Sequence, residues 1–387
     1  MLPDLLIIGG GAIGLSIADC ALRNGLRATV LDKSAPGREA SWAGAGMITC
    51  RPRPRQHQRS GVPDYHDLTL LSAKAYPQWA QRLEAETGIA IGYRVCGALE
   101  LLPVERPSVA VSSGQPDREA DIASVLAGAA ERGIAVRRLT RAELKSRETS
   151  LAVEALSGAL EFPSEAQVRN PWLVRALIAS IEKRGGVLKP DATVADILLD
   201  SQNVKVIGVQ LASGERIEAA NTVVCAGAWS AGFPVLNRLA PAVQKIHPVR
   251  GQLLCYNADP KLAAHLLTCH RHYIVPRGDG VILGGATHER AGFEKAVTPE
   301  GYAELTAFGH GLLPALRQLE PIHRWAGLRP GLQGRHPLLG PVQGAKGLFL
   351  ACGHYRNGLT LAPATAELLV DVILGRKPKL AIEGWMA

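Results

Sequence analysis

Apolar residues along the chain follow two recurrent patterns. Short unbroken runs read as strands buried on both faces: Leu5–Ile8, Ala28–Leu31 and Gly347–Ala351. Thr222–Ser230 adds a buried strand that ends in a glycine turn. Stretches with helical character predict helices over Ile13–Leu22 and from about Leu361 to Leu374. Another helix is expected to start at Asn170-Pro171, with Asn as N-cap and Pro at the first helical position, and to stop at Gly185-Gly186. Val187–Leu199 and Val204–Leu211 read as short strands, and Ser213-Gly214 turns into a third. A further strand pair, Tyr273–Pro276 and Val281–Gly284, is joined by Arg277-Gly278-Asp279-Gly280. Residues 105–121 are polar and poor in apolar positions, which predicts a surface insertion.

The first two strands and the helix between them form a βαβ unit. Gly9, Gly11 and Gly14 stand in G-x-G-x-x-G spacing, and the second strand ends at Asp32. Gly9 allows the tight turn, Gly11 lets backbone approach a pyrophosphate, and Gly14 lets the helix pack on the strand. The free N–H groups of the helix start attract phosphate. Asp32 can accept hydrogen bonds from both hydroxyls of an adenosine ribose, and it would repel the extra phosphate of NADP. NAD and FAD both remain open at this point. The segment from Ala40 to Gly46 is small and glycine-rich, leaving room for an extended cofactor against backbone. Near the C-terminus, Cys352-Gly353-His354-Tyr355-Arg356-Asn357-Gly358 leads from a strand into a helix. That second helix N-terminus suits the negative charge of a reduced flavin.

Composition narrows the class. The chain has 387 residues and 47% hydrophobic content, enough for two or three domains and too apolar for a disordered chain. Seven cysteines, an odd number and well separated, argue against a disulfide-built secreted module and for reduced thiols. The net charge of +8 has one local cluster, Arg51, Arg53, Arg55 and Arg59, interleaved with prolines. It predicts an exposed extended loop, and no nucleic-acid motif accompanies it. No apolar run reaches 18 residues, so no spanning helix is expected, and a cytoplasmic location follows. Cys269-His270-Arg271-His272 has no matching metal-ligand motif elsewhere, so no metal is expected. Ser41 and Ser230 sit in no nucleophile motif.

The segments IIGGGAIG, ASWAGAGMI, VVCAGAWS, HYIVPR, WAGLRPG and GHYRNGLTLAPATA cover both termini and the middle of the chain. In that order they resemble the D-amino acid oxidase superfamily of FAD amine oxidases, and within it the glycine oxidase branch of the thiamine pathway. The resemblance implies an α/β (α+β overall) protein with non-covalent FAD. A Rossmann-like FAD-binding domain would be assembled from residues 1–85, 150–230 and 330–387, and a mainly antiparallel substrate domain from 86–149 and 231–329. The expected cofactor contacts are Gly9, Gly11, Ala12, Ile13, Gly14, Asp32, Lys33, Ala40, Ser41, Ala45, Gly46, Met47 and Val194, the last beside the adenine. Later in the chain they are Ala226, Gly227, Trp229, His354, Tyr355, Arg356, Asn357, Gly358, Leu359 and Thr360.

For the substrate, Arg329 in WAGLRPG is the expected carboxylate anchor, because a guanidinium binds carboxylate bidentately. Arg356 and Tyr273 are expected beside it. The implied reaction converts glycine, O2 and water to glyoxylate, ammonia and peroxide by hydride transfer to flavin N5, with no side-chain base. Its imine would serve thiamine thiazole synthesis. Sarcosine or D-amino acid oxidation and the amine-oxidising subunit of a cyanide-forming dehydrogenase are close alternatives. An NAD-dependent dehydrogenase, or a cofactor-bearing subunit without turnover, would be a different class. Partners are a small amino acid and O2, in a homo-oligomer, with no nucleic acid and no membrane span. Cys352 does not match the cysteine that attaches FAD in some related oxidases.

Overall fold

The computed structural model describes residues 2–51, 65–104, 118–332, 336–382 and 385. Its fold is mixed α/β. A six-stranded sheet runs in the order Leu338–Pro341, Leu348–Cys352, Thr222–Val224, Leu5–Ile8, Ala28–Leu31 and Val187–Lys189. All of its pairings are parallel except the first. The central strand is buried throughout because both of its faces carry core. Leu5 and Ile7 point into one cluster, with Leu15, Leu177 and Leu369. Leu6 and Ile8 point into another, with Val209, Phe233 and Leu350. This is the two-residue alternation of a strand, and it explains why the run is apolar without a break.

The first cluster is roofed by three helices, Ala12–Arg23, Asn170–Lys183 and Gly358–Ile373. A fourth, Tyr65–Thr87, packs on the last of these; no feature of the sequence pattern had singled it out. The helix expected from Asn170 is capped instead by Arg169, with Asn170 and Pro171 inside its first turn. Asn170 does not cap because its Nδ2 donates to the carbonyls of Ser41 and Trp42, both at 2.7 Å. Val187–Leu199 breaks into two strands, Val187–Lys189 and Val194–Leu199, which join different sheets. Val194–Leu199, Val206–Leu211 and Arg216–Glu218 form an antiparallel three-stranded sheet. Residues 105–117 of the expected insertion lie outside the described residues. Residues 118–121 are not loop but the first turn of the helix Arg118–Glu131.

The second large sheet has eight strands. Its order is His323–Gly331, His247–Asn257, Val281–Gly285, His272–Pro276, Leu266–Cys269, Ala98–Pro103, Leu156–Phe162 and Arg137–Thr140. Only Leu266–Cys269 and Ala98–Pro103 pair in parallel. Leu156–Phe162 runs in this sheet, although it lies within the segment expected in the FAD unit. A small sheet pairs Met47–Ile48 and Ala166–Gln167, from the expected FAD segments, with Arg94–Val95, from the expected substrate segment, and carries Met47. Among the described residues no helix is long and apolar enough to cross a membrane.

Candidate active site

A cavity of about 520 Å³ lies where the C-terminal ends of the parallel strands meet the eight-stranded sheet. It has the size expected of a small-molecule or cofactor site. Two helix N-termini open onto it, those beginning at Ala12 and Gly358. Neither has an acid in its first turn or a side-chain N-cap, so both present positive ends to the cavity. Gly9 holds φ +107, and a Cβ there would lie 2.4 Å from the carbonyl of Cys225. At Gly14 a Cβ would lie 2.0 Å from the carbonyl of Gly9, so the helix packs on the strand only through glycine.

Asp32 directly follows the strand Ala28–Leu31 on the cavity wall. Its Oδ2 accepts from the Gly10 N–H at 2.8 Å, and its Oδ1 accepts from the Ser34 N–H at 3.0 Å. Burial raises its carboxyl above the usual range, while these bonds pull it back. Ser41 Oγ accepts from the Ala12 N–H at 2.8 Å, tying the small-residue segment to the first helix. Lys33 stands 3.2 Å over the Trp229 ring and pairs with Glu39. Val194, Ala226 and Gly227 complete this end.

At the other end, Ala40, Ala45, Gly46 and Met47 face Tyr355, Asn357, Gly358 and Leu359 across the cavity. Two residues on the helix Tyr65–Thr87 fix Leu359 and the residue after it, Thr360. Tyr76 Oη donates to the Leu359 carbonyl at 2.9 Å, and Ser72 Oγ donates to the Thr360 carbonyl at 2.6 Å. His354 is buried, with Nε2 3.2 Å from Thr365 Oγ1, and burial lowers its pKa to about 3, so it is neutral. Of the residues expected from the sequence, only Gly14 and Thr360 do not border the cavity. Gly14 acts from behind through packing. Thr360 Oγ1 instead donates to the Met47 carbonyl at 3.2 Å.

Arg329 and Tyr273 come together on the eight-stranded sheet. Arg329 Nη1 donates to the Thr287 carbonyl at 3.1 Å, and its charge lies close enough to the Tyr273 hydroxyl to pull that group's pKa down. Two glycines make space for them. A Cβ on Gly251 would lie 2.2 to 2.4 Å from the Arg329 guanidinium, and one on Gly285 would lie 2.8 Å from the Tyr273 ring. Burial raises the Tyr273 pKa, with Arg329 and Arg356 opposing it, so the phenol keeps its proton. Arg356 is exposed; its Nη2 bonds His288 Nδ1 at 3.0 Å, and its guanidinium lies over the Tyr355 ring. Tyr355 Oη lies 2.9 Å from the same His288 Nδ1. Burial and nearby arginines lower the His288 pKa to about 4, leaving it a neutral partner for Arg356. Sequence reasoning missed His288, which lies in no recognisable motif.

Arg51 corrects the reading of the basic cluster as a solvated loop. It borders the cavity and is held by Glu165 at 3.1 Å, Glu100 at 3.2 Å and Thr268 Oγ1 at 3.0 Å. Arg53, Arg55 and Arg59 lie outside the described residues. Cys269-His270-Arg271-His272 forms the turn of a hairpin, with His272 Nε2 bonded to Glu304 at 2.7 Å. All seven cysteines are free thiols, and burial pushes Cys352 up to about 12.

The walls fit FAD. The glycine-cradled helix start suits a pyrophosphate, Asp32 a ribose, the small segment Ala40–Gly46 a flat ring, and the Gly358 helix end a negative flavin edge.

The family model of FAD dependent oxidoreductases called DAO matches residues 4–372. A glycine oxidase of Pseudomonas aeruginosa is 34% identical over 383 residues, covering 98% of this chain and 96% of the relative. The Hydrogen cyanide synthase subunit HcnC of the same organism is 29% identical, over 95% of this chain and 91% of its own. The solved glycine oxidase of Geobacillus kaustophilus superposes with a TM-score of 0.87 at 29% identity, covering 99% of this chain and 98% of its own.

Proposed function

The chain belongs to the DAO family of FAD-dependent oxidoreductases, and on that premise we propose that it oxidises glycine to glyoxylate, releasing ammonia and reducing O2 to peroxide. The observation that carries this is the Arg329 guanidinium, beside Tyr273 in the wall of the same cavity that fits the cofactor, a group suited to anchor a carboxylate. Similarity to glycine oxidases over nearly the whole chain supports it.

FAD, when bound, supplies the redox chemistry; the protein's part is to bind and orient. Asp32 would hold the ribose, the turn Gly9–Gly14 the pyrophosphate, and Ala45, Gly46, Met47 and the Gly358 helix end the flavin. The thiol of Cys352 is too buried and too weakly acidic for attachment, which favours non-covalent FAD. Arg329 presents two parallel N–H groups to the substrate carboxylate, with Tyr273 donating beside them. Arg356, held by His288, closes the same end. Among the described residues no carboxylate borders the cavity there, so none of them would hold the substrate amine as an ammonium. Cavity-wall acids at the opposite end, Asp32 and Glu39, are already engaged.

The test is anaerobic addition of glycine to purified protein with its visible flavin band monitored. Bleaching, followed by peroxide formation on admitting air, supports the proposal. A flavin band that glycine leaves unchanged, with sarcosine and D-alanine bleaching it, would replace glycine as the substrate. Bleaching by glycine with no peroxide on admitting air would favour a dehydrogenase over an oxidase.

A further inference from the structure

Arg329 and Arg356 are each held by one of two consecutive residues. Arg329 donates to the Thr287 carbonyl at 3.1 Å, and Arg356 Nη2 donates to the His288 ring at 3.0 Å. Thr287 and His288 follow the strand Val281–Gly285 and belong to no helix or strand, so something else must fix their backbone. The next residue, Glu289, does this without bordering the cavity itself. Its main chain is bridged to Arg250. The Arg250 N–H donates to the Glu289 carbonyl at 2.9 Å, and the Glu289 N–H donates back to the Arg250 carbonyl at 3.0 Å. Its carboxylate accepts four hydrogen bonds: from Arg250 Nε at 3.1 Å, from Arg250 Nη2, from Gln252 Nε2 at 2.8 Å and from the Thr287 hydroxyl. Thr287 Oγ1 in turn accepts from the Gln252 N–H at 2.9 Å.

Arg250, Gln252 and Thr287 are all buried, and a buried guanidinium needs such a partner. Glu294 also approaches Arg250, at 3.4 Å, but from an exposed position. Burial pushes the Glu289 carboxyl up; Arg250, Thr287 and Gln252 outweigh it and keep the group ionised. Between Arg250 and Gln252 lies Gly251, the residue whose missing side chain leaves room for the Arg329 guanidinium. The same network thus frames the anchor from beneath, at Gly251, and from the side, at Thr287. We infer that Glu289, locked to Arg250, is a positioning residue for substrate carboxylate binding. It fixes Thr287 and His288, and through them the guanidinium groups of Arg329 and Arg356. This rests on the carboxylate-anchor reading above and adds what holds that anchor in place. A misplacement of about 1 Å in an orienting group can cost about a hundredfold in rate. Carboxylate binding is alike in ground and transition states, so the loss should fall on KM rather than kcat.

The experiment uses the FAD-loaded enzyme with two readouts: glycine kinetics by peroxide release, and anaerobic binding of acetate, a carboxylate without an amine, by perturbation of the flavin absorbance. Glu289→Gln keeps the shape and an acceptor but loses the charge. It should raise the glycine KM and the acetate Kd tenfold or more, with kcat within threefold and FAD content full. Arg250→Gln should do the same, and Arg250→Lys should recover part of the loss. In an Arg329→Ala background the factor lost from Glu289→Gln should shrink to threefold or less, because the anchor it positions is gone. A general packing defect would cost the same factor in both backgrounds. Should Glu289→Gln fail to fold, Thr287→Val, which removes the hydroxyl linking Thr287 to Glu289, carries the same test. Unchanged KM and Kd in Glu289→Gln, with Arg329→Ala impaired, would overturn the positioning role and leave the anchor standing. Equal factors in both backgrounds, or a loss confined to kcat, would likewise overturn it. Arg329→Ala with unchanged KM and Kd would strike the anchor reading itself, and this inference with it.

Discussion

Replacing Arg329 is the most direct challenge to the site. In Arg329→Ala the substrate carboxylate loses a bidentate, charge-assisted partner, and Tyr273 loses the positive charge beside its hydroxyl. Two such bonds contribute about 1.5–3 kcal/mol each, so the combined loss is about 3–6 kcal/mol, or roughly two to four decades in kcat/KM. Arg329→Lys should recover only part of this, because an ammonium lacks the planar fork. Gly251→Ala offers a second route to the same outcome. The added Cβ would lie 2.2 to 2.4 Å from the guanidinium, so the arginine head must leave its place. Because the clash is with the flexible end of a side chain, Tm should change little while kcat/KM falls at least tenfold. FAD content should stay full in all three variants, since Asp32 and the glycine turn lie at the other end of the cavity. The assay is glycine-dependent peroxide formation with flavin content measured on each sample. A loss below tenfold in Arg329→Ala at full FAD content would refute the assignment of the anchor.

Asp32→Ala should weaken FAD binding by at least tenfold, because a charged acceptor for the ribose is lost; titration of apoprotein with FAD, followed by flavin fluorescence, checks this. Arg51→Met should lower stability by about 3–5 kcal/mol, since Glu165, only 3% exposed, is left without its partner; urea unfolding midpoints measure it. His354 titrates at about 3 when folded and near 6.5 when unfolded, so the unfolded chain binds the extra proton between those values. Stability from this group is therefore full above pH 6.5 and is lost as pH falls towards 3, with a slope of about 1.4 kcal/mol per pH unit for one proton. His354→Asn should flatten that acid limb, which unfolding curves taken at pH 4 to 7 would reveal; an unchanged slope would remove His354 as its source.

Legibility in the sequence tracked the distance between partners. The βαβ unit could be read because its glycines, helix and acid lie within 24 residues of chain, Gly9 to Asp32, and each carries a local signal. The helix at Asn170 was found, but its cap was not, because carbonyls about 129 residues away compete for the Asn170 side chain. Arg51 was misread for the same reason. Its proline-spaced surroundings suggest a solvated loop, while its acids, Glu165 and Glu100, stand 114 and 49 positions away. The roles of Gly251 and Gly285 emerge only from sheet register, which sets Val249 opposite Arg329 and Gly285 opposite Tyr273. His288 reaches the site by the same sheet, through a loop that carries no pattern of its own.

The central strand of the parallel sheet also imposes an order in time. Leu5–Ile8 is made before its partner strands: one flank waits for Thr222–Val224, which in turn needs Leu348–Cys352. Until those distant strands exist, the glycine turn has no carbonyl of Cys225 to pack against and the second helix end is missing. Contacts of such long sequence separation form slowly, because chain entropy must be lost before they contribute. A nascent chain thus carries a βα unit with one bare edge until Thr222–Val224 has been made. Cofactor capture comes last, and by binding only the completed arrangement it pulls the folding equilibrium forward. Cellular FAD supply should therefore govern how much of this protein survives proteolysis as well as how much of it is active.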